Sequence, residues 1–213
     1  MPRYYPIFLN VAGRPVVVVG GGEVAARKVE LLLECGAEVR VISLHFSDEF
    51  APLARRPGVS LVRRSYRAGD LGGAFLAVAA TDDPAVNQEV AREAAAGRVL
   101  LNVVDQPALS QFIVPSLVRR GDLTIAISTG GASPALARRL REELEQTFGP
   151  EYEEFLRLLE EVRRRVQRDE PDPAKRRVIF ERLVNSDLLG RLREGDHAGV
   201  AAQIEALLDP GRH

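Results

Sequence analysis

The hydrophobic pattern changes period along the chain, and the changes outline an α/β protein followed by helices. Val16-Val17-Val18-Val19 is an unbroken β-branched run. Such a run suits a parallel strand covered on both faces. After a glycine turn, Val24, Ala25, Val29, Leu32 and Leu33 recur at helical spacing. They predict a helix over about 22–35, ended by Gly36. Further apolar runs at 37–42, 59–63, 74–80 and 99–104 predict four more strands. A short helix capped by Ser47 and a longer one entered at Pro84 fall between them. Pro6-Ile7-Phe8-Leu9 is expected to cover a sheet edge. The alternation then gives way: 112–118 and 123–128 flank Arg119-Arg120-Gly121-Asp122, which predicts a hairpin. Ser133 and Pro134 are N-cap and N1 residues for a helix to about Phe148. Beyond Glu151 the pattern is helical throughout. Phe155, Leu158, Leu159, Val162 and Val166 form one stripe, a second helix starts at Asp172-Pro173, and shorter ones cover 187–193 and 199–208.

Composition narrows this only a little. A chain of 213 residues buries a substantial core. Its 29 Lys and Arg nearly balance 30 Asp and Glu, so charge gives no argument for nucleic acid. No apolar run approaches a membrane span. The opening Met1-Pro2-Arg3-Tyr4-Tyr5-Pro6 does not read as a signal peptide. A single cysteine, Cys35, forms no internal disulfide and fits a reducing cytoplasm. Arg63, Arg64 and Arg67 read as a solvated charged edge, with a role in drawing in an anionic substrate as the alternative.

Four segments carry candidate chemistry. Gly20, Gly22 and Ala25 fill G-x-G-x-x-A between a strand and a helix. The small residues permit the turn, the approach of backbone N–H groups to a pyrophosphate, and close helix packing. The helix N-terminus adds unpaired donors and partial positive charge. The second strand ends Ser43-Leu44-His45, without the carboxylate that usually binds the ribose of NAD. That leaves backbone, Ser43 or His45 for the ribose, and leaves NADP open. Thr81 and Asp82 lie past a strand's carboxyl end, where open sheets bind ligands; Asp82 or Asp83 also suits helix capping. Asp105 follows another strand, placed equally well for proton transfer or for capping a turn before Pro107. Ser128-Thr129-Gly130-Gly131-Ala132-Ser133 is a second strand–glycine–helix junction, suited to carboxylates, with Arg138, Arg139 and Arg141 following. His45, His197 and His213 form no ligand cluster, so no metal site is assigned.

These segments together resemble precorrin-2 dehydrogenase, the N-terminal module of siroheme synthase. The resemblance rests on Gly20-Gly21-Gly22-x-Val24-Ala25-x-Arg27-Lys28, Ala79-Ala80-Thr81-Asp82-Asp83 with Asn87, Asn102-Val103-Val104-Asp105, Phe112-Ile113-Val114-Pro115-Ser116, and Ile127-Ser128-Thr129-Gly130-Gly131-x-Ser133-Pro134-x-Leu136-Ala137. It spans nearly the whole chain in order and spacing. It implies a Rossmann-type parallel sheet at 1–113, a dimerisation region at 114–149 and a small helical domain at 150–213. It implies NAD-dependent oxidation of precorrin-2 to sirohydrochlorin by a cytoplasmic homodimer, with ferrous iron insertion a further activity of some relatives. Precorrin-2 would come from another protein, since the chain has no room for the methyltransferase domain of longer enzymes. The implied catalytic base is Asp105. The implied cofactor contacts are Gly20, Gly21, Gly22, Glu23, Val24, Leu44 and His45, to which position adds Thr81 and Asp82. Position also nominates Ser128, Thr129, Gly130, Gly131 and Ser133 for substrate carboxylates. Thr129 stands where some relatives carry a phosphorylated serine. A rival reading is an NAD-sensing regulatory domain without catalysis. It explains the glycine turn but not Asn102–Asp105 together with the second glycine junction.

Overall fold

A computed structural model describes residues 3–208. The chain divides between Val114 and Pro115 into two compact units. The first holds five parallel strands: β1 (Pro15–Val19), β2 (Glu38–Ser43), β3 (Val59–Arg63), β4 (Leu76–Ala79) and β5 (Leu100–Val103). Their order is β3-β2-β1-β4-β5. The order reverses at β1, so a crevice opens between the carboxyl ends of β1 and β4.

Side-chain alternation along β1 builds two cores. Val16 and Val18 pack with Ala25, Ala26 and Val29 of α1 (Glu23–Glu34). Val17 and Val19 pack on the other face with Val90 and Ala94 of α3 (Pro84–Gly97). The sheet is thus covered on both faces, which is why β1 tolerates no polar residue. A short α2 (Phe50–Leu53) follows β2. Ser47 does not cap it through its side chain: Glu49 is the N-cap, and only the Ser47 carbonyl takes part, accepting from Phe50 N–H.

The β3-to-β4 crossover has no helix and is held by side chains instead. Arg64 pairs bidentately with Asp70 at 2.6 and 2.7 Å. Glu93 of α3 accepts from the Tyr66 hydroxyl at 2.6 Å, Leu71 N–H at 2.7 Å and Gly69 N–H at 2.9 Å. Arg64 is therefore tied into the crossover while part of its side chain stays exposed, and Arg63 and Arg67 are exposed beside it. Arg63 lies over the Phe46 ring. The Pro6–Leu9 segment forms no strand and covers no edge; Ile7 and Phe8 are exposed.

The second unit opens with an antiparallel hairpin, β6 (Ser116–Arg120) and β7 (Leu123–Ile127). It continues through α4 (Pro134–Thr147), α5 (Glu151–Asp169), α6 (Pro173–Val184), α7 (Leu188–Glu194) and α8 (His197–Leu208). Phe155, Val162 and Val166 of α5 meet Leu183, Leu188, Leu192, Val200 and Ile204 in its core. Among the described residues, no helix is long and apolar enough to cross a membrane.

Candidate functional site

The turn after β1 is fitted closely on two sides and open on the third. Gly20 has φ +125°, and a Cβ there would collide with the Ala80 carbonyl oxygen. A Cβ on Gly21 would collide with the His45 carbonyl and lie 2.7 Å from Ser43 Oγ. Gly20 N–H donates to the Ile42 carbonyl at 2.9 Å, and Ser47 N–H to the Gly21 carbonyl at 2.8 Å. The first two glycines are thus wedged between the ends of β2 and β4. Gly22 differs: a Cβ there would meet nothing within 4 Å. Gly22 is also the N-cap of α1, and no side chain caps that helix. By contrast α3 is capped by Asp83, α4 by Ser133 and α6 by Asp172. The α1 terminus therefore keeps its N–H donors beside open space, the geometry a pyrophosphate requires. Glu23 and Val24 begin the helix and are exposed.

The neighbouring strand ends line the same crevice. Leu44 and His45 are exposed past β2, and Ser43 Oγ donates to the His45 carbonyl at 2.7 Å, which fixes that loop. Past β4, Thr81 Oγ1 accepts from Asp83 N–H at 3.1 Å, and the Thr81 carbonyl accepts from Asn87 Nδ2 at 3.0 Å. Asp83 accepts from Ala85 and Val86 N–H, so it is the capping residue and Asp82 is left exposed at the edge.

Asp105 stands beyond β5, exposed, with φ +58°. Gln106 N–H donates to the Val103 carbonyl at 3.2 Å, so Asp105 sits inside a tight turn in the left-handed region. Asp and Asn tolerate that conformation better than most residues, and a strained residue at a sheet's ligand-binding edge is a recurring mark of function. The turn is braced from below. Asn102 Nδ2 donates to the Phe112 carbonyl at 3.0 Å, and Ser110 Oγ accepts from Val103 N–H at 2.9 Å. Lys28 of α1 lies within electrostatic reach of Asp105. Burial pushes its ammonium pKa down, Arg27 adds to that, and the Asp105 carboxylate opposes it. Lys28 is not among the site residues nominated from sequence; its signal is a lysine at a half-buried helical position.

The Ser128–Ser133 junction belongs to the second unit. Its hydroxyls are largely engaged within the loop. Gly130 N–H donates to Ser128 Oγ, Ser133 N–H to Thr129 Oγ1, and Leu136 N–H to Ser133 Oγ. Gly130 and Gly131 both have positive φ. Arg138, Arg139 and Arg141 each pair with a glutamate four residues on, along the surface of α4. Among the described residues, no three His, Cys, Asp or Glu side chains gather into a metal-binding group.

Comparison with known proteins agrees with this fold. A family model described as "Putative NAD(P)-binding" matches residues 7–116. A sirohaem biosynthesis protein central model matches 120–147, and a sirohaem synthase dimerisation model matches 151–208. The siroheme synthase of Azotobacter vinelandii is 40% identical over 205 residues, covering 96% of this chain and 44% of that protein. The siroheme synthase of Pseudomonas putida is 39% identical over 206 residues, again 44% of its own length. The chain thus spans less than half the length of these relatives. The solved structure of SirC, precorrin-2 dehydrogenase, superposes with a TM-score of 0.78 at 28% identity, covering 95% of this chain and 99% of that one. The chain belongs to the NAD(P)-binding family whose model spans residues 7–116, continued by the central and dimerisation regions of the sirohaem synthases.

Proposed function

We propose that this protein oxidises precorrin-2 to sirohydrochlorin with NAD, in the cytoplasm, as a homodimer. The observation that carries the reading is the likeness to SirC, precorrin-2 dehydrogenase, over 95% of this chain and 99% of that one. The open cradle at Gly22 and the turn that presents Asp105 at the same sheet edge support it. A sensor without catalysis gains no support, since the full-length likeness is to a dehydrogenase. Our proposed division is nucleotide-binding to residue 113, dimerising over 114–149 and helical from 150, whereas the dimerisation family model itself matches 151–208.

The residues fit the cofactor. Gly20 and Gly21 shape the turn, while Gly22, Glu23 and Val24 offer backbone N–H groups to its pyrophosphate. Leu44 and His45 flank the adenosine end past β2, and Thr81 and Asp82 the other end past β4. NAD, when bound, supplies the hydride acceptor. The oxidation releases one hydride and one proton from precorrin-2. Asp105 takes the proton as general base, since its carboxylate stands free of any cap or hydrogen-bond duty at the crevice edge. The junction of Ser128, Thr129, Gly130, Gly131 and Ser133 serves the substrate's carboxylates.

The test is Asp105→Asn, which keeps the left-handed turn and removes the base. Protein, NAD and precorrin-2 are mixed, and NADH and sirohydrochlorin absorbance followed. Turnover should fall by about 100-fold or more, with NAD affinity unchanged. Full turnover in the variant would remove Asp105 from the mechanism. Absence of NADH formation by the unmodified protein would overturn the reading itself.

A further inference from the structure

A lysine occupies a place on α1 where the helix's own pattern calls for an apolar residue. Lys28 shares its face with Ala25, Val29 and Leu32, which are buried or packed on the core. It is half-buried itself. Only Lys28 and Lys175 are lysines among the 29 basic residues, so this position also departs from the chain's ordinary usage. Arginines elsewhere in the chain repeatedly pair with carboxylates; among the described residues, Lys28 has no carboxylate within ion-pair distance. Burying an ammonium without an ion pair is unfavourable, and the field of the Asp105 carboxylate offsets this only in part.

Helix geometry indicates what the charge is for. Cα–Cβ bonds in a helix tilt toward its N-terminus, and a long lysine stem extends further that way to keep its ammonium near water. The N-terminus of α1 is the Gly22 cradle at the carboxyl edge of the sheet. Asp105 is the carboxylate whose field acts on Lys28. β5, which leads into Asp105, lies beyond β4, away from β2 and the Leu44-His45 end. Val104 and Phe112, on either side of the Asp105 turn, pack onto the same core as Ala25 and Val29. The segment around Asp105 thus packs onto the same core as the helix that carries Lys28, and β5 lies on the far side of β1 from β2 and the Leu44-His45 end.

We propose that Lys28 is the cation that receives a carboxylate of the tetrapyrrole substrate, holding it beside Asp105. This rests on the reading of the protein as a precorrin-2 dehydrogenase. It adds a substrate contact within the nucleotide-binding unit, separate from the Ser128–Ser133 junction. An ammonium that is partly desolvated before binding has lost part of its hydration already, so pairing with a substrate carboxylate costs it less.

The experiment compares Lys28→Met and Lys28→Arg with the unmodified protein. Lys28→Met keeps the length of the side chain and removes the charge, so its melting temperature should be unchanged or higher. Its KM for precorrin-2 should rise about tenfold or more, the loss expected for one charge-assisted contact. Its kcat and NAD dissociation constant should change little, and Lys28→Arg should recover most of the KM. An unchanged KM in Lys28→Met would overturn the assignment. So would a parallel loss of NAD affinity, which would move Lys28 to the cofactor phosphates. Titration of sirohydrochlorin into the NAD-loaded proteins gives a readout independent of turnover. If the unmodified protein forms no NADH, the dehydrogenase reading falls on that result. Equal sirohydrochlorin affinity in the unmodified protein and Lys28→Met would separately overturn the role of Lys28.

Discussion

At the scale of single residues, the three glycines after β1 make different demands although the sequence writes them alike. Gly20 needs its positive φ and the space against Ala80. Gly20→Ala should cost more than about 3 kcal/mol, since strain and a backbone collision add. Thermal denaturation would show this as failure to fold or a large drop in melting temperature. Gly22 has ordinary φ and open space around it. Gly22→Ala should therefore cost less than about 1 kcal/mol of stability. Its methyl group would occupy the cofactor's side of the turn, so NAD affinity should fall at least about tenfold, or roughly 1.4 kcal/mol. Calorimetric titration of both variants checks the contrast. If Gly22→Ala bound NAD normally, the cradle would be elsewhere. Asp105 shows where the sequence stopped. Its two candidate roles weighed equally, because a tight turn and a catalytic placement use the same residue at the same strand end. The positive φ and the Val103–Gln106 hydrogen bond put it in the turn while leaving its carboxylate free.

At the scale of elements, the strands and helices were legible because burial imposes period on sequence. The β1 run and the caps at Ser133 and Asp172 lie where the pattern put them, and the α1 stripe does so at Ala25 and Val29 but not at Val24, which is exposed. The crossover from β3 to β4 was not legible. It is held by polar contacts between Tyr66, Gly69, Leu71 and Glu93, which lie more than twenty residues apart and carry no local periodicity. Burial raises the Glu93 carboxyl's pKa, but the Tyr66 hydroxyl and the two backbone N–H groups outweigh it, and the net shift is downward. Asp70 is also held low, chiefly by Arg64. Tyr66 is pushed up by burial and by Glu93. Carboxylates with lowered folded pKa contribute stability that is fully present above their ordinary range, about pH 4. That contribution is lost as pH falls through the folded values. Glu93→Gln should destabilise the protein by about 1–3 kcal/mol at pH 7, because one amide oxygen cannot accept all three donors. Urea midpoints at pH 7 should separate the variant from the unmodified protein. The gap should narrow as pH drops from about 5 toward 3. A gap that stays constant with pH would mean the clamp acts through shape and not through the ionised carboxylate.

At the scale of the whole molecule, the β6–β7 hairpin is the element least complete on its own. A two-stranded ribbon is marginal in water unless something covers it. Side chains alternate, so Val118 shares a face with Arg120 and Ile125, while Leu117 shares the other with Ala126 and Thr124. Arg120 reaches from the first face to the Glu145 carbonyl of α4 at 3.0 Å, and Val118 is fully buried. The second face is less finished: Leu117 and Thr124 are half-buried and Ala126 is exposed. Both outer strand edges also lack a strand partner among the described residues. A partner protomer would cover that face and those edges, which is the physical content of the proposed homodimer. Ala126→Glu places a charge on the open face. Because Ala126 is exposed within one chain, an isolated protomer should tolerate the change with little loss of stability, within about 0.5 kcal/mol. Across a protomer interface the same carboxylate would be desolvated without a partner, which is strongly unfavourable. Sedimentation should then show dimers for the unmodified protein and monomers for the variant at equal concentration. The dimer's melting temperature should rise with protein concentration, and the variant's should not. NAD titration should be the same for both, since the glycine turn belongs to the other unit. A variant that stays dimeric would move the interface off this face of the hairpin.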